Sequence, residues 1–216
     1  DQSSAASDVY KRQFLKREQN TPEMKHTIFS TPLISDALRI FSILALKVIR
    51  WRVIGSLPST KKYVIIVAPH TSNWDFFLFI FVVSVLKLQP SVLIKHTLFK
   101  GPLSWFLKYC GAIPVNRASG GSLVDKIKKM YQKKDQFALI ITPEGTRSAN
   151  PNWKLGFHHI ARSAEVPILM VYVDSASKTI GIENLFNPTQ NIDEDIKQIK
   201  AFYDTKKGVR PENYAS

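Results

Sequence analysis

Cysteine is almost absent from this chain. Its one thiol, Cys110, excludes an internal disulfide and any metal site built on cysteine pairs, and fits a reducing compartment. Acidic residues are scarce too: 17 against 30 lysines and arginines, a formal net charge of +13. That balance suits an acidic partner such as nucleic acid, anionic lipid headgroups or a phosphorylated substrate. Nucleic acid fits least. A face that binds it interleaves aromatics with basic residues, whereas here the rings gather in apolar runs such as Phe76-Phe-Leu-Phe-Ile-Phe81. No confident membrane-spanning run of roughly twenty apolar residues is present. Nor is there a nucleophile elbow, a phosphate loop or a dinucleotide fingerprint. Internal repeats, low-complexity tracts and long linkers are also missing. A chain of 216 residues so organised is one domain with room for a sizeable core.

Residues 3–13 resemble the in-frame translation of a sequencing-library adapter, so 1–13 are set aside as an artefact. Asp1 and Asp8 balance Lys11 and Arg12 there, and the basicity belongs to the remainder. On that reading a leader or an upstream membrane helix is a matter the sequence does not address. Residues 14–50 form an N-terminal segment, and 51–216 the main domain. Within the former, 33–50 is apolar but interrupted by Asp36, Arg39, Lys47 and Arg50. It reads as an amphipathic helix, lying in a membrane interface or packed on the domain.

From Trp51 onward short apolar strands alternate with helices. Strands are expected at 51–55, 63–68, 91–95, 112–116, 137–142 and 166–173. Helices are expected at 74–88, 102–109, 122–134, 153–164 and 193–204. The pattern predicts an α/β fold with a mixed, largely parallel sheet flanked by helices. For 122–134, Ser122 is a candidate cap and Asp125 a first-turn acid. Leu123, Ile127 and Met130 should face inward, and Lys126, Lys129 and Lys133 should face solvent or anionic lipid. The apolar run 76–86 is too short to span a bilayer as a helix. It is either a fully buried helix or one whose aromatic side lines an acyl-chain tunnel.

Strand 63–68 ends at Pro69, which puts His70 in the loop at the strand's carboxyl edge, where open α/β sheets bind ligands. Asn73 or Asp75 opens the next helix. A carboxylate five positions after the histidine can fold back and accept from one ring nitrogen, leaving the other free as a base. This is the histidine–carboxylate part of a triad without a protein nucleophile; the nucleophile would be a substrate hydroxyl. Arg117 follows another short strand and precedes Ser119-Gly-Gly121. Its planar guanidinium suits phosphate, and glycines let backbone amides approach an anion. Pro143-Glu-Gly-Thr-Arg-Ser148 follows strand 137–142 at a carboxyl edge as well. Glu144, Thr146 and Arg147 beside His70 would make a cradle for a glycerol phosphate.

This set resembles the glycerolipid acyltransferase family, which includes the lysophosphatidic acid and glycerol-3-phosphate acyltransferases. His70-x-x-x-x-Asp75 matches its first motif. Gly111-Ala-Ile-Pro-Val-Asn-Arg117 matches the second, Pro143-Glu-Gly-Thr-Arg-Ser148 the third, and Val166-Pro-Ile-Leu-Met-Val171 the fourth. The resemblance implies that His70 is the general base and that Asp75 orients it. It implies that Arg117, Glu144, Gly145, Thr146 and Arg147 hold the acceptor. It further implies a glycerol-3-phosphate acyltransferase-like fold and acyl transfer from acyl-CoA or acyl-carrier protein to a lysophospholipid, 1-acylglycerol-3-phosphate first. No metal or other cofactor is implied. The enzyme would sit as a peripheral or monotopic protein on the cytoplasmic face of an anionic membrane and would not engage nucleic acid. Pro69, Thr142 and Met170 stand where many members carry asparagine, phenylalanine and proline. The acceptor is therefore left open, a lyso-aminolipid being one alternative. A non-catalytic basic membrane-docking module is the competing reading. His158-His159 is a poor metal pair, because neighbours on a helix point apart. It also lacks the aspartate of the His-His-x-x-x-Asp-Gly acyltransferases, since Ser163 stands there.

Overall fold

The computed structural model describes residues 26–115 and 120–215, the side chains of 120–122 excepted, and among these residues are seven strands and six α-helices. The strands are β1 Arg52–Ile54, β2 Lys62–Ala68, β3 Pro90–Lys95, β4 Ala112–Val115, β5 Phe137–Ile141, β6 Ile168–Asp174 and β7 Thr179–Phe186. The helices are α1 Ile34–Val48, α2 Trp74–Val85, α3 Gly101–Tyr109, α4 Gly120–Lys133, α5 Gly156–Ala164 and α6 Ile192–Tyr203. They build one sheet in the order β1-β7-β6-β2-β5-β3-β4. Neighbours run parallel except β6 and β7. The mixed, largely parallel sheet expected from the strand–helix alternation is therefore present, and all six expected strands are in it.

β2 is central because, from Tyr63 to Ala68, its sequence is apolar without a break. A parallel strand covered on both faces needs that, and Tyr63 to Ile66 and Ala68 are all buried. Alternate side chains enter different cores. Val64, Ile66 and Ala68 join Leu139, Phe157, Ile168, Ile199 and Tyr203 on one face. Tyr63 and Ile65 join Ile140, Leu169, Val171, Leu78 and Val82 on the other. Burying each large aliphatic side chain contributes about 1.5–3 kcal/mol. The strands that lead into the two principal motifs are thus firmly seated, and β2 and β5 are direct neighbours, in register from Lys62↔Phe137 to Ile66↔Ile141.

Several expectations are corrected. β7 lies outside the expected strands; it returns antiparallel from β6 and carries β1 on its far side. The helix expected from 122 begins at Gly120, so Ser122 lies inside it and Asp125 falls beyond its first turn. Its inward face holds: Ile127 is fully buried, and Leu123 and Met130 pack against the same core. The helix expected at 153–164 begins only at Gly156. Trp153 is buried in the preceding loop, against Tyr203 at 5.6 Å between ring centroids. The run 76–86 is not fully buried. Leu78, Val82 and Val83 face the core, but Phe76 and Phe77 are 60% and 49% exposed, and Trp74, just ahead of the run, is 64% exposed.

α1 packs on α2, with Leu46 and Ser42 buried and the Ser42 hydroxyl donating to Leu38 O. Its opposite side exposes Ile40, Leu44 and Val48, and Phe41, also exposed, meets Phe81 of α2 edge-on at 5.9 Å between ring centroids. At 15 residues it is about 22 Å long, short of a bilayer's hydrocarbon core. No helix among the described residues is long and apolar enough to cross a membrane. His158 is buried rather than presented as a ligand, with Nε2 2.7 Å from Asp195 Oδ2. Burial alone would raise the Asp195 carboxyl, but its bonds from His158 and from Thr189 hold it below the usual range. This pair fastens α5 to the start of α6.

Candidate active site

The loop after β2 turns because Pro69 has no amide hydrogen to continue the ladder. His70 follows, with part of its ring open to solvent. Its Nδ1 lies 3.0 Å from Asp75 Oδ2, the histidine side chain 26% exposed and the aspartate 7%. A carboxylate only accepts, so Nδ1 is the donor of this bond, and it is the neutral tautomer with its lone pair on Nε2 that fits it. Asp75 sits in the first turn of α2, where exposed amide dipoles favour a negative charge. The same oxygen accepts from Thr71 N–H at 2.8 Å and Ser72 N–H at 2.9 Å. One carboxylate oxygen thus closes the loop and orients the imidazole together. Asn73 occupies the position before the helix but forms no side-chain cap; Ser72 Oγ accepts from Trp74 N–H instead. The donors from Thr71 and Ser72 are backbone amides, which any residue but proline supplies, so the side chains there carry no sequence signal for them.

The second motif arrives from β5, next to β2. Glu144 is 1% exposed, and its Oε1 accepts from the His70 backbone N–H at 2.8 Å. Burial pushes its carboxyl up to about 7; the His70 N–H bond and the nearby imidazole pull it down, and the charge of Asp75 adds to the rise. Glu144 therefore lies beneath the histidine loop and away from the open face expected of an acceptor ligand. Gly145, Thr146 and Arg147 are exposed on the following turn. Gly145 has φ +69°, a conformation glycine adopts without strain, and a Cβ there would approach Lys154 Cγ to 3.2 Å. The turn is tied down by Lys154 N–H to Pro143 O at 2.6 Å, Asn150 Nδ2 to Glu144 O at 2.9 Å and Ser148 N–H to Thr146 Oγ1 at 3.2 Å. Arg117 lies outside the described residues; β4, which leads to it, ends at Val115 on the same side of the sheet.

His70, Asp75, Glu144, Gly145, Thr146 and Arg147 are thus gathered at the carboxyl edge of two adjoining parallel strands. An oriented imidazole can take a proton there, and an exposed arginine can meet an anion. Replacing Arg147 by alanine should mainly raise the apparent KM for a phosphorylated acceptor, by about tenfold, the scale of one charge-assisted hydrogen bond. Steady-state kinetics at varied acceptor concentration would read it, and an unchanged KM would remove Arg147 from the anion site.

Comparison with known proteins converges on one group. A family model described as Acyltransferase matches residues 49–174. A protein of Saccharomyces cerevisiae named 1-acyl-sn-glycerol-3-phosphate acyltransferase is 29% identical over 137 residues, 60% of this chain and 44% of that one. A protein of the same name from Streptococcus pneumoniae is 31% identical over 116 residues, 53% of this chain and 43% of its own length. The matches span less than half of either relative. The crystal structure of the 1-acyl-sn-glycerophosphate (LPA) acyltransferase PlsC from Thermotoga maritima superposes with a TM-score of 0.59 at 18% identity. That superposition covers 90% of this chain and 86% of the other, and at such identity the likeness is one of fold.

Proposed function

Since the chain belongs to the acyltransferase family, we propose that it moves a fatty acyl group from a thioester donor to the hydroxyl of a lysophospholipid, 1-acylglycerol-3-phosphate first among the candidates. The donor would be acyl-CoA or acyl-carrier protein, and the product would feed phospholipid synthesis. One observation carries the reading: the His70–Asp75 pair and the exposed Gly145–Arg147 turn lie at the same edge of the sheet, after the neighbouring strands β2 and β5.

The chemistry follows from those atoms. His70 Nε2 accepts the proton of the acceptor hydroxyl as its oxygen bonds to the thioester carbonyl carbon. Asp75 keeps the proton on Nδ1 and stabilises the imidazolium that forms. The tetrahedral intermediate collapses with cleavage of the carbon–sulfur bond, and the imidazolium returns its proton to the leaving thiolate. Arg147 and the turn amides hold the acceptor's phosphate. Glu144 keeps the backbone of the base in place. General-base assistance of this kind contributes roughly 10²–10⁴-fold.

The exposed apolar residues support a membrane surface as the place of work. Ile40, Phe41, Leu44 and Val48 on α1, and Trp105 and Phe106 on α3, join Trp74, Phe76 and Phe77 on α2. Trp74 begins four residues after the base, so an interfacial α2 would bring a lipid acceptor's hydroxyl near Nε2. Apolar side chains on a basic protein suit the headgroup boundary of an anionic bilayer on its cytoplasmic face.

The test is an acceptor panel. Labelled acyl-CoA and acyl-carrier protein are offered with lysophosphatidic acid, glycerol-3-phosphate and a lyso-aminolipid in anionic vesicles. Label is expected in phosphatidic acid, with the protein sedimenting with the vesicles. Transfer only to the lyso-aminolipid would replace the acceptor. Sedimentation with no turnover across the panel would favour the docking module.

A further inference from the structure

Thr71, the residue after the base, is held from three directions, and two of the holds come from the far end of the chain. Its N–H donates to Asp75 Oδ2. Its hydroxyl oxygen accepts from Arg210 N–H at 3.0 Å, and its carbonyl accepts from Asn213 Nδ2 at 3.2 Å. Thr71 is 1% exposed, so a partner lost there is not replaced by bulk water. Gly208 passes directly over it. A Cβ at 208 would fall 2.5 Å from Thr71 Oγ1, 2.7 Å from Thr71 Cγ2 and 3.1 Å from Pro69 Cβ. Only glycine allows that approach.

This stretch is itself anchored to the sheet. Ser175 N–H donates to Lys207 O and the Ser175 hydroxyl to Gly208 O, both at 2.7 Å. Asp174 Oδ1 accepts from Lys207 N–H at 3.1 Å. Asp174 and Ser175 lie at the carboxyl end of β6, the neighbour of β2 on the side away from β5. Asn213 is fixed in turn by its own N–H to Arg210 O at 3.0 Å. The segment therefore runs from the end of β6 to the loop that carries His70, opposite the side on which Glu144 grips it.

We propose that residues 207–214 form a strap that holds the His70 loop in its reactive geometry, with Thr71 and Asn213 as positioning residues for the acyl transfer proposed above. The strap lies wholly outside residues 49–174, which the family model matches. It acts through the backbone on either side of the Nδ1–Asp75 bond. Loosening it lowers the fraction of molecules whose imidazole stands ready, which lowers kcat and leaves KM alone.

Thr71→Val keeps the shape and removes the hydroxyl acceptor; Thr71→Ser restores it; Asn213→Ala removes the second hold at a half-buried position. The activity arm rests on the acyl-transfer reading, so a second readout, amide hydrogen exchange without substrate, stands independent of it. Thr71→Val and Asn213→Ala should each lower kcat about tenfold with KM within about twofold, the scale of one well-placed hydrogen bond. Thr71→Ser should retain most of the rate. Exchange at residues 70–75 should quicken about tenfold in the two deficient variants while β2 and β5 stay protected. Unchanged loop exchange overturns the strap, whatever kcat does. Faster exchange throughout the sheet also overturns it, reducing the contacts to general stability. If the wild-type protein turns over no acceptor, the acyl-transfer reading fails and loop exchange alone decides the strap.

Discussion

His70→Ala should lower kcat by about 10²–10⁴-fold, the range of general-base catalysis, with only a modest loss of thermal stability. The two effects separate because of how Asp75 is bonded. Without the imidazole, Asp75 Oδ2 still accepts from Thr71 and Ser72 N–H, so the loop keeps its closure and loses one bond worth about 1–3 kcal/mol at most. Vesicle sedimentation should persist, since none of the exposed apolar residues is touched. Asp75→Asn provides the contrast. An amide can place its oxygen where Oδ2 accepts all three bonds, but it removes the charge opposite the forming imidazolium and at the helix start, and it buries an NH2 where Oδ1 has no partner among the described residues. It should cost a comparable fall in kcat and, unlike His70→Ala, a clear drop in melting temperature. Rate and melting temperature measured on both variants check this. Full activity in His70→Ala would remove the base; an equal loss of stability in both variants would mean that Asp75 serves the histidine alone.

The difference between local and distant information accounts for what could be read from the sequence. The His70–Asp75 pair was legible because both residues lie in one loop and one helical turn, five positions apart. The strands β2, β5 and β6 were legible because buried parallel strands are continuous apolar runs between helices. β7 was not: only Thr179 to Ile182 are buried, while Glu183, Asn184 and Leu185 extend past the short β1 toward solvent. Its buried run is therefore short, and Glu183 and Asn184 interrupt the pattern ahead of Leu185 and Phe186, which still pair with Leu169 and Ile168. α2 misled in the opposite direction. Its composition is nearly all apolar, as for a helix enclosed by protein, yet its first turn stands open at the surface. The position of Glu144 beneath His70 depends on β5 inserting beside β2 although β3 and β4 intervene in sequence, a contact across 74 positions. The bonds from Arg210 and Asn213 to Thr71 cross 139 and 142 positions. No local spacing encodes them.

Glu144→Ala should lower kcat on the order of 10²-fold, as displacement of a catalytic group by about 1 Å can, with a small change in KM. Among the described residues the Glu144 carboxyl is the partner of the His70 N–H, and it is buried beneath that loop. Were Glu144 a ligand for the acceptor, the loss would fall on KM instead, so the split between the two constants decides its role. Glu144→Gln retains an oxygen at the accepting position and should keep kcat within about tenfold of the wild type. The same pair of proteins exposes the carboxyl's titration. Burial raises it from 4.5 to about 7 in the fold. Between those values the unfolded chain has released a proton that the native protein retains, so the unfolded state binds fewer protons and stability falls as pH rises. Below about 4.5 both states are protonated and above about 7 both are ionised, so the contribution is level outside that window. Urea midpoints of the wild type relative to Glu144→Gln should therefore decline from pH 4.5 to 7 and then hold steady. A constant difference across that range would place the carboxyl at its ordinary value, and would mean that the bond from His70 offsets the whole cost of burying the charge.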